Sequence, residues 1–225
     1  MPLILANSVA EWFVRGGPVM WPLLALALAL VAVIVERWVF WIKMRSRRDG
    51  QRLLKVLSLM EGFEFAEATA LASQSNDPVL RTIHSGLSHA HGSLQGAIQM
   101  AAGLELKRAG RFMVLIDTCI TMAPLLGLLG TVTGIMKSFS EVVGELAVQG
   151  VTAGIGEALI ATACGLGIAL CGVFFLNFFN ELIEELRFDL ETAATNVEVM
   201  VTRARQEGVS PAGWGRPSST AEGAV

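Results

Sequence analysis

Apolar residues fall along this chain in three long runs, and the segments between them carry helical rather than alternating periodicity. Pro18 to Val35 is uncharged, and the run resumes past Glu36-Arg37 through Trp38-Val39-Phe40-Trp41-Ile42. A spanning helix needs ~20 apolar residues for a ~30 Å hydrocarbon core, so residues 18–42 are predicted to form a first transmembrane helix. A second span is predicted over 112–137, with Asp117 near one end and Lys137 closing the other. A third is predicted over 150–179, where Glu157 is the only charge. Residues 138–149 hold Glu141 and Glu145 but no Lys or Arg, as an outer loop should. Lys43, Arg45, Arg47 and Arg48 follow the first span, whereas only Arg15 precedes it. The positive-inside rule therefore predicts an outside N-terminus (1–17), a cytoplasmic segment over 43–111 and a cytoplasmic C-terminus.

The polar segments predict further helices. Leu53-Leu54, Val56-Leu57 and Leu59-Met60 suggest one, broken at Gly62, and Phe63 to Ala72 a second. Ser75-Asn76-Asp77-Pro78 is a boundary, because Asp77 can cap a helix whose first position suits Pro78. Val79, Leu80, Ile83 and Leu87 then share one face. Gly92-Ser93 marks another start, and the helix from Leu94 is expected to run unbroken through Lys107, Arg108 and Arg111 into the second span. Ile183, Leu186, Leu190, Ala193, Val197, Met200 and Ala204 step by threes and fours, which predicts an amphipathic helix over 180–207. Residues 208–225 are rich in Gly, Ser, Pro and Ala and are expected to be disordered. The fold class expected is an all-α integral membrane protein whose long helices extend into the cytoplasm.

Composition narrows the function classes. Of 225 residues 53% are hydrophobic and 16% charged, with a mean hydropathy of +0.56, which favours a polytopic membrane protein over a soluble domain. A net charge of −3 gives no basic face for nucleic acid. Trp12, Trp21, Trp38 and Trp41 crowd the first apolar run, where an interfacial belt would lie. The run begins late and lacks a small-residue cleavage site, so a signal peptide is not expected. Cys119, Cys164 and Cys171 lie in apolar runs and are expected to pack as small hydrophobic residues. No HExxH, CxxC, GxSxG or GxxxxGK[ST] motif occurs, and His89 with His91 reads as solvated surface. No cofactor, no metal and no enzymatic activity is expected.

Two features remain. Gly130 with Gly134, Gly150 with Gly154 and Ala158, and Ala161 with Gly165 and Ala169 form small-xxx-small ladders. Such faces let helix backbones approach closely in lipid, where apolar burial alone does not favour association. Gly127, Gly130, Gly134, Gly154, Ala158 and Gly165 are thus candidate packing positions, and Pro124 a candidate kink. The second feature is polar. Glu157 inside the third span costs about 2.5–3.5 kcal/mol on insertion scales and should face a protein interior or a watery cavity. Thr131, Thr133, Thr152 and Thr162 are milder, since each hydroxyl can return to its own i−4 carbonyl. Glu157 and Thr162, opposite a helix carrying Thr131 and Thr133, favour a polar lining. Asp117 and the Glu36-Arg37 pair lie near the interface and could snorkel or pair locally.

Ala123-Pro-Leu-Leu-Gly-Leu-Leu-Gly-Thr-Val-Thr-Gly-Ile-Met136 followed by Ser138-Phe139 resembles the second-helix signature of the ExbB/TolQ/MotA proton-channel family. Gly154-Ile-Gly-Glu-Ala-Leu-Ile-Ala-Thr-Ala-Cys-Gly-Leu-Gly167 resembles its third-helix signature, and Glu36-Arg37 is similar to the pattern closing the first span. The likeness covers the order of elements, and three spans set the chain closer to ExbB and TolQ than to four-span stators. The resemblance implies a homo-oligomeric ring, pentameric in the family, around two copies of an ExbD/TolR-like single-span partner with a transmembrane aspartate. It further implies an inner-membrane motor in which proton flow acts through a TonB- or TolA-like protein on the envelope. Thr131 and Thr162 match the family's pore threonines, and Glu157 its pore glutamate. The alternatives are a non-conducting membrane scaffold that organises envelope proteins, and a passive channel acting alone.

Overall fold

The apolar runs and the amphipathic segments all become helices. The computed structural model describes residues 16–89, 93–140 and 147–209, without the side chains of 147–153 and 157. Seven helices occur among the described residues: α1 (Met20–Ser46), α2 (Gly50–Glu61), α3 (Phe65–Ser73), α4 (Pro78–Ser88), α5 (Leu94–Ala109), α6 (Met113–Ser140) and α7 (Ala147–Gln206). No strand is present among them. Helices α1, α6 and α7 are long and apolar enough to cross a membrane. At 60 residues α7 extends about 90 Å, three times the hydrocarbon thickness, so a large part of it belongs outside the bilayer. The tract expected to be disordered, 208–225, lies outside the described residues from residue 210 on, as do His91 and Trp12.

The chain divides into two units. The first comprises the chain through Trp38 together with Phe112–Phe179. In it α6 buries Cys119, Ala123, Gly127, Gly130, Gly134 and Ser138, a stripe recurring every three or four residues. Met20 and Leu23 of α1 pack with Ala161 of α7, flanked by Leu126 and Ile168. Leu125, Leu128, Leu129, Val132 and Met136 stay exposed on the other side of α6, which is the arrangement a lipid-facing surface requires. Of the three cysteines only Cys119 is buried; Cys164 is half-buried and Cys171 exposed.

Near the polar end of this unit Arg37 is 1% exposed. Its guanidinium forks onto the Glu36 carboxylate at 2.5 and 2.6 Å and lies 5.7 Å from the centre of the Phe112 ring. Local pairing with its neighbour is therefore the outcome for Glu36-Arg37, and the arginine turns inward rather than snorkelling out.

The second unit comprises Val39–Arg111 and the chain from Asn180. Its core joins Val56 and Met60 of α2, Phe65 and Ala68 of α3, Leu80, Ile83 and Leu87 of α4 and Ile98 of α5 to the α7 seam. That seam buries Leu186, Leu190, Ala193, Val197, Val201 and Ala204, while Ile183 and Met200 are only partly covered. Asp77 caps α4 by accepting from the Val79 N–H at 2.8 Å, with Pro78 in the first turn, and its other oxygen accepts from the Asp49 N–H at 2.9 Å. Ser93 caps α5 through the Gly96 N–H at 3.0 Å.

One helix end differs from the sequence expectation. The helix from Leu94 does not run unbroken into the span: Gly110 closes α5, and Phe112 adopts φ of 68° before α6 begins. Glycine is the weakest non-proline helix former, so a stop there costs little. α2 stops at Gly62, and the left-handed residue that follows is Phe63 (φ 62°), with Phe63 N–H donating to Met60 O and Glu64 N–H to Leu59 O. That is a Schellman closure made by a non-glycine residue, whose ring lies 6.4 Å from that of Phe65.

Candidate functional site

The contact between α6 and α7 is built from residues with almost no side chain. Its register is antiparallel: Ala123 meets Gly165, Gly127 meets Thr162, Gly130 meets Ala161, Gly134 meets Ala158 and Ser138 meets Gly154. A Cβ placed on Gly127 would lie 2.9 Å from the Thr162 Cα, and one on Gly130 2.7 Å from the Ala161 Cβ. One on Gly134 would lie 3.0 Å from the Ala158 Cβ, and one on Gly165 would collide with the Ala123 carbonyl oxygen. All six candidate packing positions thus lie on this seam. Gly172, whose added Cβ would meet Ile120 Cγ1 at 2.6 Å, extends it by two turns. Its spacing after Gly165 and Ala169 is helical, so the same ladder could have revealed it. Ser138 also belongs here, buried, with its hydroxyl donating to Gly134 O at 2.8 Å.

Within this glycine-rich contact the polar groups are few. Thr162, half-buried on α7, donates its hydroxyl across the pair to the Gly127 carbonyl of α6 at 2.9 Å. Thr131, also half-buried, donates within its own helix to Leu128 O at 2.7 Å. It stands four residues after Gly127, one turn further along the same side of α6, so the hydroxyls of Thr131 and Thr162 belong to neighbouring turns of the seam. Thr133 is placed differently: it lies exposed on the flank of α6, about 60° around the helix from Gly130, and donates to Leu129 O at 2.9 Å and to Gly130 O at 3.2 Å. The side chains of Glu157 and Thr152 lie outside the described residues. Pro124 is half-buried inside α6, which continues through it; proline has no N–H, so Ile120 O lacks its helical donor.

Asp117 is exposed on α6, and its backbone carbonyl accepts from the Thr121 hydroxyl at 3.0 Å. His89 bonds through Nδ1 to its own helix at Ser85 O, 2.8 Å. Among the described residues no group of three His, Cys, Asp or Glu side chains could hold a metal ion.

Comparison with known proteins converges on the same segment. The MotA/TolQ/ExbB proton channel family matches residues 74–192, more than half of the chain. Biopolymer transport protein ExbB-like 3 of Synechocystis is 37% identical over 180 residues, covering 74% of this chain and 82% of the relative. ExbB-like 1 of the same organism is 33% identical over 193 residues, 81% and 74% of the two chains. Biopolymer transport protein ExbB of Pseudomonas putida is 27% identical over 219 residues, 88% of this chain and 65% of the relative. With three apolar helices of spanning length, such a match describes a multi-pass protein of the bacterial inner membrane. The chain belongs to the MotA/TolQ/ExbB proton channel family.

Proposed function

We propose that this chain is the proton-channel subunit of an inner-membrane motor that couples the proton gradient to work on the cell envelope. The observation that carries the reading is the mid-span pair of hydroxyls, Thr162 on Gly127 O and Thr131 one turn away, set in a seam otherwise made of glycine, alanine and, at its far end, Ser138. A hydroxyl can donate and accept at once, so each threonine can accept a hydrogen bond from the proton's carrier and orient it while keeping its backbone bond. The seam buries no carboxylate among its described side chains, so the titrating group would come from a partner: a single-span ExbD/TolR-like protein with a transmembrane aspartate. Glu157 would tune the field on this route, and Thr133, exposed on the flank of α6, would extend the polar lining. Several copies of the chain, five in the family pattern, would surround the partner, and a TonB- or TolA-like protein would carry the motion outward. The excess of Lys and Arg after α1 supports a periplasmic N-terminus and a cytoplasmic C-terminus.

The test is proton flux, or motor-dependent uptake, in Thr162→Val and Thr131→Val with the partner co-expressed. Loss of flux with normal assembly is expected. Unchanged flux in both variants would sink the lining role. One observation favours a second reading, a non-conducting scaffold: the Thr162 hydroxyl already has a packing partner in Gly127. A scaffold predicts that Thr162→Val and Glu157→Gln alter assembly or nothing.

A further inference from the structure

A second site lies in the unit formed by Val39–Arg111 and the chain from Asn180. Phe40, Lys43, Met44 and Arg47 recur at i, i+3, i+4 and i+7, so the foot of α1 and the turn that closes it present a single stripe that alternates apolar and basic residues. This stripe forms one wall of a cavity of about 420 Å³, and Arg81 of α4 with Glu105 and Arg108 of α5 forms another. The volume falls within the range that binds small ligands.

The charge in this cavity is unbalanced. Glu105 is buried and shared by Arg108 at 2.9 Å and Arg81 at 3.3 Å. That single carboxylate faces four cations. Other basic residues of the same stretch have their own partners, Arg48 with Asp189 and Arg52 with Asp49. Lys43 and Arg47 have no carboxylate within ion-pair distance among the described residues. Asp77, next to the cavity-lining Pro78, is turned to the Val79 and Asp49 N–H groups. A surplus of three positive charges in a concave site with two guanidinium forks beside an ammonium and a third guanidinium matches a phosphate group.

We infer that this cavity binds the anionic phosphate headgroup of a membrane lipid. The position of the stripe selects a lipid over a soluble phosphate. Lys43 is the first residue beyond the apolar run that ends at Ile42, so the cavity opens at the level where α1 leaves the hydrocarbon. Phe40 and Met44 extend that apolar run into the site and give the glycerol and upper acyl region a surface to lie on. Basic clusters at such a level attract anionic headgroups. The inference rests on membrane insertion of α1 and is independent of proton conduction.

The experiment is native mass spectrometry of the full chain released from nanodiscs of mixed phosphatidylglycerol and phosphatidylcholine. The chain should retain phosphatidylglycerol in preference to phosphatidylcholine. Lys43→Gln combined with Arg47→Gln should reduce that preference by about tenfold or more. Arg203→Gln with Arg205→Gln, a charge-matched control near the end of α7, should leave it unchanged. Lys43→Arg with Arg47→Lys should restore it, which separates charge from folding. Equal retention of the two lipids, or equal preference in the parent and the Lys43/Arg47 double variant, would overturn the inference. Displacement of phosphatidylglycerol by inorganic phosphate or glycerol 3-phosphate, or their binding in phosphatidylcholine-only nanodiscs, would overturn the lipid assignment in favour of a soluble phosphate.

Discussion

The Thr162 hydroxyl reaches across two helices to the Gly127 carbonyl at 2.9 Å, and it can do so because neither residue's neighbours hold the backbones apart. Gly127 has no Cβ to fill that space, and Ala161 presents only a methyl group. Interhelical bonds of this kind average about 0.6 kcal/mol in membranes and reach about 1.7. Thr162→Val should therefore cost roughly 0.5–1.5 kcal/mol of stability, and Thr162→Ser should recover most of it. Thermal unfolding of the purified protein in nanodiscs measures this. If Val and Ser variants unfold alike, the bond contributes nothing to the seam.

The glycines of α6 and α7 should differ sharply in what they tolerate. Gly165→Ala drives a methyl into the Ala123 backbone carbonyl, where no side-chain rotation can relieve the clash. Overpacking of this sort costs about 1–3 kcal/mol, and here it should also weaken assembly. Gly167, two residues on, has nothing within 4 Å of an added Cβ. Gly167→Ala should be neutral or stabilising by up to about 1 kcal/mol through helix propensity. Comparable losses in both variants would contradict the observed register.

Arg37 offers a third test. It is buried, forks onto half-exposed Glu36 and faces the Phe112 ring. Arg37→Met removes these contacts but leaves Glu36 partly hydrated, so the cost should be about 1–3 kcal/mol rather than the larger figure for a fully buried pair. Arg37→Lys should recover only part, since an ammonium cannot make the two-bond fork. Denaturation midpoints of the three proteins give the comparison.

Asp77 holds two segments at once, capping α4 through Val79 and accepting from the Asp49 backbone N–H. Asp77→Ala should cost roughly 1–3 kcal/mol, a lost cap plus a half-buried Asp49 donor left unpaired. Asp77→Asn keeps one acceptor oxygen and should lie between. Hydrogen exchange at the Val79 and Asp49 amides should accelerate together in the Ala variant. Faster exchange at Val79 alone would show that the Asp49 bond is dispensable.

How much of this was legible in the residues depends on the range of the interaction. The Asp77-Pro78 and Ser93 helix starts are local hydrogen-bonding events, written within three or four residues, and the sequence identifies both. The α7 seam was legible at five of its seven positions, with Ile183 only partly covered and Val201 buried in place of Met200. Phe63 was not legible as a left-handed residue, because glycine next to it is the better local candidate and packing overrides that preference. The break at Gly110–Phe112 escaped for a similar reason: nothing in the apolar periodicity marks it, and the Phe112 ring meets Arg37 from seventy-five positions earlier in the chain.

By itself the sequence determined the helices, their membrane-spanning lengths and the small-residue ladders, since these depend on apolar run length and on 3.6-residue spacing. Only the tertiary structure decided which rungs meet. Register between α6 and α7 sets Gly127 against Thr162 and gives that threonine a bond across the pair, whereas Thr131 and Thr133 bond within α6, a distinction that the spacing of similar threonines does not carry. It also gathered Lys43 and Arg47 with Arg81 and Arg108 around one carboxylate. Their charges are separated by up to sixty-five positions in the chain, and close approach, not composition, makes them a site.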